Sequence, residues 1–265
     1  MGNFAAMIRV KNTELKEFLD EKVALYNHPR FIHHDPISIP HRFSRREDIE
    51  IAGFLTATIA WGQRPTILKN ASALLNHMDE APYDFILNFS KRDLLPFQKF
   101  VHRTFNGDDC IYFLKALQKI YREKHSLESL FTDHFDEHTD KDYKDAISGW
   151  RRFFFSLPHP TRTLKHFANP LEGSAAKRIN MFLRWIIRSD TSGVDFGLWK
   201  LKSSLLTCPL DVHSARVARK LGLLKRKQND WQAAAELTAR LRNFDAIDPV
   251  KYDFALFGLG VFEKF

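Results

Sequence analysis

The sequence predicts an all-α protein. Three observations carry that expectation: apolar residues recur at three- and four-residue spacing along most of the chain, alternating strand-like runs are scarce, and only 11 of 265 residues are glycine. A chain of this length can bury a large core, as one big domain or two smaller ones sharing an interface. Its 24 Phe and five Trp supply that core. No uncharged apolar run reaches membrane-spanning length, and Arg9, Lys11, Glu14 and Lys16 stand where a signal peptide would be apolar. A cytoplasmic protein is expected. Two cysteines, Cys110 and Cys208, are too few for a disulfide framework, a four-cysteine zinc site or a cysteine-ligated iron–sulfur cluster.

Taken in order, Glu14 to Ala24 reads as a charged amphipathic helix that stops before Asn27, His28 and Pro29, and a proline-punctuated loop runs on to Pro40. Ser44 with Glu47 three residues later is a capping-box pattern, and Ile49, Ala52, Gly53, Leu55, Thr56 and Ile59 then repeat as in a mostly buried helix. Trp61-Gly62-Gln63-Arg64-Pro65 breaks it. Thr66 to Met78 forms the next helix, followed by Asp108 to Tyr121, Ser126 to Phe135 and Lys141 to Phe155. Loops at Pro158 to Pro160 and Asn169 to Ser174 lead into a helix from Ala175 to Arg188. Its core face is Ile179, Phe182, Leu183 and Ile186, with Lys177, Met181, Arg184 and Arg188 on another. The pattern from Val212 to Gly222 closes the set, with Asp211 before it and Gly222 as its stop.

The net charge of +8 is unevenly spread. From Arg151 to Lys227 there are 16 Lys/Arg against Glu172, Asp190, Asp195 and Asp211, a balance of +12, so the remainder of the chain is at −4. A concentrated field of this kind suits a polyanion, nucleic acid first and an anionic membrane surface second; a solvated basic face is the plainer alternative. Lys177 sits in a first helical turn, where free backbone N–H groups and the helix dipole favour a phosphate; an ordinary basic face would read the same. Asp211 is placed to cap the following helix, a role compatible with a catalytic one. His33, His34, Asp35 and His41 are metal-ligating types, yet intervening prolines and the lack of an i, i+4 pair favour a polar loop, and no metal or cofactor is expected. Dinucleotide-binding, Walker A and nucleophile-elbow motifs are missing from the sequence.

The run Pro209-Leu210-Asp211-Val212-His213, followed by Ser214, Ala215, Arg216 and Val217, resembles the aspartate segment of the helix-hairpin-helix DNA glycosylases, both endonuclease III and the 8-oxoguanine glycosylases. Gly173-Ser174-Ala175-Ala176-Lys177 resembles the hairpin that ends in the catalytic lysine of their bifunctional members, with Ala175 in place of the usual second glycine. The interval from Lys177 to Asp211 is longer than in endonuclease III and nearer to the archaeal 8-oxoguanine branch. Ile51 to Leu75, interrupted at Gly62-Gln63-Arg64, resembles the segment whose loop carries a glutamine wedge. Over most of its length the chain is similar to the bacterial family called domain of unknown function 2400, above all at Ser174 to Arg188 and Asp248 to Phe257; that similarity supplies no activity.

The glycosylase resemblance implies a two-lobed fold with the cleft between lobes, 48–188 as a central lobe and 1–47 plus 189–265 as the other. It implies base-excision repair of an oxidised base, Lys177 attacking the sugar as a Schiff-base nucleophile and Asp211 handling the proton and the charge. Gln63, Arg64, Gly173, Ser174, Arg178, Arg188, His213 and Arg216 would contact DNA. Trp61, Met181 and Phe257 would line the base pocket, with core packing the alternative for each. The implied partner is duplex DNA with a damaged base, bound by a monomer in the nucleoid. A nucleic-acid-binding protein that keeps the fold without turnover is the other reading.

Overall fold

The computed structural model describes residues 12–189 and 191–265, so that Arg9, Lys11 and Asp190 of the charge reading lie outside the described residues. The chain is mostly helical. Among the described residues eleven α-helices follow in order: α1 (Asn12–Tyr26), α2 (Arg46–Thr58), α3 (Arg64–Asn76), α4 (Pro82–Asn88), α5 (Gly107–Lys124), α6 (Leu127–Thr132), α7 (Lys144–Phe154), α8 (Lys177–Ile187), α9 (Val212–Lys220), α10 (Trp231–Arg242) and α11 (Tyr252–Val261). A two-residue antiparallel pair, β1 (Val101–His102) and β2 (Phe105–Asn106), precedes α5. No helix among the described residues is long and apolar enough to cross a membrane.

Every helix read from the sequence is present, with ends shifted by a few residues. The Ser44 capping box is not. Helix α2 begins at Arg46 behind Arg45, which makes no side-chain cap bond, and the Glu47 carboxylate pairs with Arg45 instead. The expected box occurs at α5, where Asn106 accepts from the Asp109 amide at 3.3 Å and Asp109 accepts from the Asn106 amide at 3.0 Å. Through the proline-rich loop the backbone is three short 3-10 turns, Pro29–His34, Pro36–Ser38 and Pro40–Arg42.

Helix α2 is buried almost all round and packs on α8 and α4, while α5 packs on α4, α6 and α7. Phe54 of α2 sits among Phe113, Trp150, Phe154, Phe167 and Phe182 at ring separations of 5.2–5.9 Å, which makes it the centre of an aromatic core. The C-terminal helix α11 lies against α1 and α9. Gly258 permits that approach: a Cβ there would sit 2.1 Å from the Tyr26 ring.

Two arginines on the α8 face shared with Lys177 and Met181, one of them the expected DNA contact Arg188, are interior. Arg188 is 2% exposed, with Nη1 2.9 Å from Asp195 and Nε 2.8 Å from Asp248, and Arg184 reaches Asp253 at 2.5 Å and Asp195 at 3.3 Å. The helix is embedded on more sides than its apolar stripe implies, and Asp195 from the segment just after it, with Asp248 and Asp253 from the far end of the chain, neutralises it. Arg188 is therefore a buried structural cation and not a phosphate contact. Arg188→Ala is expected to cost about 3–5 kcal/mol, because two carboxylates lose a buried partner. Chemical denaturation checks this, and a variant of parental stability would return Arg188 to the surface role.

Candidate active site

Helices α8 and α9 point their N-termini into one open cleft of about 910 Å³, within the range of roughly 300–1,000 Å³ usual for ligand pockets. Across it, Lys177 Nζ of α8 stands 3.8 Å from Asp211 Oδ2. Both side chains keep a quarter to a third of their surface open, at 31% and 24%.

The two oxygens of Asp211 divide the work. Oδ1 caps α9, accepting from the His213 amide at 2.8 Å and the Ser214 amide at 2.9 Å, while the Ser214 hydroxyl oxygen accepts from the Asp211 amide at 2.9 Å. Oδ2 is left facing Lys177. Burial raises the Asp211 pKa, but the Lys177 charge and the bonds from Ser214 and His213 outweigh it and hold the carboxyl below its ordinary range.

The turn ahead of Lys177 is tightly specified. Gly173 adopts φ +88° and Ala176 φ +46°, so the left-handed residue next to the helix is Ala176, one beyond the alanine that departs from the hairpin pattern. An alanine held there costs on the order of 1 kcal/mol. The Ser174 hydroxyl accepts from the Ala176 amide, and the Gly173 carbonyl accepts from the Trp231 amide of α10. No side chain caps α8, which leaves its first amides open where Lys177, Arg178 and Ile179 line the cleft. The segment before the turn consists of 3-10 turns, Thr161–His166 and Pro170–Glu172, in place of an α-helix.

Most of the residues selected from sequence converge here. Trp61, Arg64, Ser174, Lys177, Arg178, Met181, Asp211, His213 and Phe257 all line the cleft. Trp61 is flanked by the Arg178 guanidinium at 4.6 Å and by His166 at 5.9 Å, which fix it as a wall. Desolvation lowers the Arg178 pKa to about 10, and its bonds go to the Thr58 and Lys165 carbonyls. Phe257 opens on the cleft beneath the Arg64 guanidinium, 5.2 Å from its ring, with Phe31 edge-on at 5.8 Å. Gln63 is exposed at the rim, at the head of α3, and makes no capping bond. Gly173 and Arg216 are exposed outside the lining, Arg216 bonding the Gly260 carbonyl at 3.1 Å. Only Arg188 is removed from the site by burial.

Sequence reading passed over Lys165 and His166, which also line the cleft. They lie in a 3-10 turn with no helical period, and their one visible sign was a basic pair between two proline loops. Burial draws the His166 pKa down to about 4 despite Asp109 at 3.3 Å, so its ring is neutral at physiological pH. Asp35, considered in the sequence with three histidines, is buried at 8% exposure and forms part of the cleft wall. The basic excess is also smaller outside than inside the count: besides Arg184 and Arg188, Arg162 pairs with Asp109, Arg226 with Asp230, and Arg219 ties down the backbone carbonyls of Arg226 and Lys227.

A family model described as Protein of unknown function (DUF2400) matches residues 35–262, most of the chain and every residue of the cleft. The chain belongs to the DUF2400 family. In this DUF2400 protein the match opens at Asp35 and runs through α11, so both walls of the cleft fall within it. Comparisons with curated proteins and with solved structures gave no match.

Proposed function

We propose that this DUF2400 protein is a DNA glycosylase with AP lyase activity that removes an oxidised base through a lysine Schiff base. The observation that carries the reading is the Lys177–Asp211 pair, 3.8 Å apart at two helix N-termini inside a cleft large enough for a base. An amine and an ionised carboxylate so placed can divide nucleophilic and proton-transfer duties. Asp211 takes a proton from the Lys177 ammonium; the freed amine bonds to C1′ as the glycosidic bond breaks, and the base leaves with that bond's electron pair and the proton that Asp211 gives up. Opening of the sugar yields an imine, and loss of a C2′ proton then breaks the C3′–O bond.

The surroundings suit this chemistry. Open amides at α8 with Lys165, Arg178 and His213 offer donors for phosphates, and Met181 and Phe257 offer an apolar slot. Gln63 with Arg64 is the wedge for the vacated stack, on a rim that carries no capping duty. On this reading α2 to α8 make one lobe, 48–188, and the segments 1–47 and 189–265 the other.

The test is incubation with duplexes carrying 8-oxoguanine, an oxidised pyrimidine or an abasic site, followed by strand analysis. Nicking of the abasic duplex and release of one lesion are expected; tight binding without either would favour a binding protein without turnover. Affinity should fall steeply with salt, and Arg216→Ala should reduce the slope of log affinity against log salt by about 0.9, the share of one phosphate contact. Titrations at several salt concentrations check this, and an unchanged slope removes Arg216 from the interface.

A further inference from the structure

Asp35 is a carboxylate the fold does not require. It is 92% buried, and Oδ1 accepts the Ile37 amide at 3.1 Å to cap the turn Pro36–Ser38. Oδ2 has no donor among the described residues. Burial raises the Asp35 pKa, and beyond the Ile37 amide only Arg184, Arg64 and Lys177 oppose this, all from beyond ion-pair distance, with Arg184 already held by Asp195 and Asp253. A neutral Asn or Ser would make the same cap, whereas a largely desolvated carboxylate oxygen that opens only on the cleft is costly to keep. Such a group is retained where a ligand supplies the missing donor.

Its position says which ligand. Asp35 lines the main cleft and also a recess of about 30 Å³ beneath it, shared with Lys177, Met181, Asp211 and Phe257. A base lying against Met181 and Phe257 with its sugar at Lys177 would bring one edge to Asp35. We propose that Asp35 reads the extruded base by accepting an N–H from that edge, so that the site selects bases with donor-rich edges over bases presenting carbonyls. The inference rests on the glycosylase reading and names its substrate class. An oxidised purine such as 8-oxoguanine carries N–H donors at N1, N7 and the 2-amino group; the pairing edge of thymine glycol offers one imide N–H between two carbonyls, whose lone pairs a carboxylate repels, its two hydroxyls lying on the opposite, saturated edge.

The test compares the parent with Asp35→Asn. Asparagine caps as well as aspartate, and with its oxygen committed to the Ile37 amide its NH2 takes the place of Oδ2, turning an acceptor into a donor. Binding of 8-oxoguanine and of thymine glycol as nucleosides, whose glycosidic nitrogens carry no N–H, is measured by calorimetry, and nicking of a preformed abasic duplex is followed in parallel. The parent should bind 8-oxoguanine at least about tenfold more tightly, and the variant should lose that preference while still nicking abasic DNA. Equal binding of the two bases by the parent, or a preference that survives in the variant, overturns the proposal. A preference that depends on Asp35 in a protein that nicks nothing would leave this inference standing and sink the lyase reading. Should the Asn variant fail to fold, Asp35→Ser keeps a capping oxygen, lacks the second one and serves the same comparison.

Discussion

Asp211→Asn is expected to slow base release by about 10²- to 10⁴-fold, the range removed with a general acid–base group, while the protein remains folded and binds DNA. The expectation follows from the split between the two carboxylate oxygens. Oδ1 holds the His213 and Ser214 amides, and an asparagine oxygen can hold them as well. Oδ2 faces Lys177 at 3.8 Å, and there the substitution removes the charge and the proton acceptor. Stability should change little, since a partly exposed ion pair is worth about 0–1 kcal/mol. Single-turnover excision with a thermal melt of each protein separates the two effects. Asp211→Ala would confound them by removing the cap together with the charge. If Asp211→Asn excises at the parental rate, the carboxylate is a helix cap alone.

How far the sequence reveals this arrangement depends on whether a residue's duty is local. Helix α9 and its cap were legible because Asp211, Ser214 and the apolar positions Ala215, Val217 and Ala218 all lie within one short pattern. The sequence puts Lys177 in a first turn for the same reason, and the structure begins α8 at that residue. What the pattern lacked was partners from distant segments. The Arg188 spacing fits an exposed face, yet its acids Asp195 and Asp248 approach through chain segments with no helical period linking them to α8. Ser44 and Glu47 had the right spacing for a box, but Arg45 took the glutamate. Helix α4 has only seven residues and β1 and β2 two each, below the length at which a period can be recognised. Asp35 shows the same limit at the site: its burial beside Lys177 and Met181 depends on how the proline-rich turns fold back onto α8, which no local spacing encodes.

Lys177→Gln is expected to abolish covalent capture altogether, a larger effect than any change in rate. Glutamine keeps most of the length of the side chain and a polar end at the head of α8, so the turn at Gly173 to Ala176 and the open amides behind it should persist. Only the amine is lost, and without it no imine can form. Binding to duplex DNA should weaken by no more than the one charge removed. The most direct measurement is borohydride trapping on an abasic duplex, with the parent and Lys177→Gln side by side. A stable protein–DNA adduct for the parent and none for Lys177→Gln is the predicted result. An adduct of equal yield from Lys177→Gln, or none from a parent that binds the duplex tightly, would contradict the assignment of Lys177 as the nucleophile.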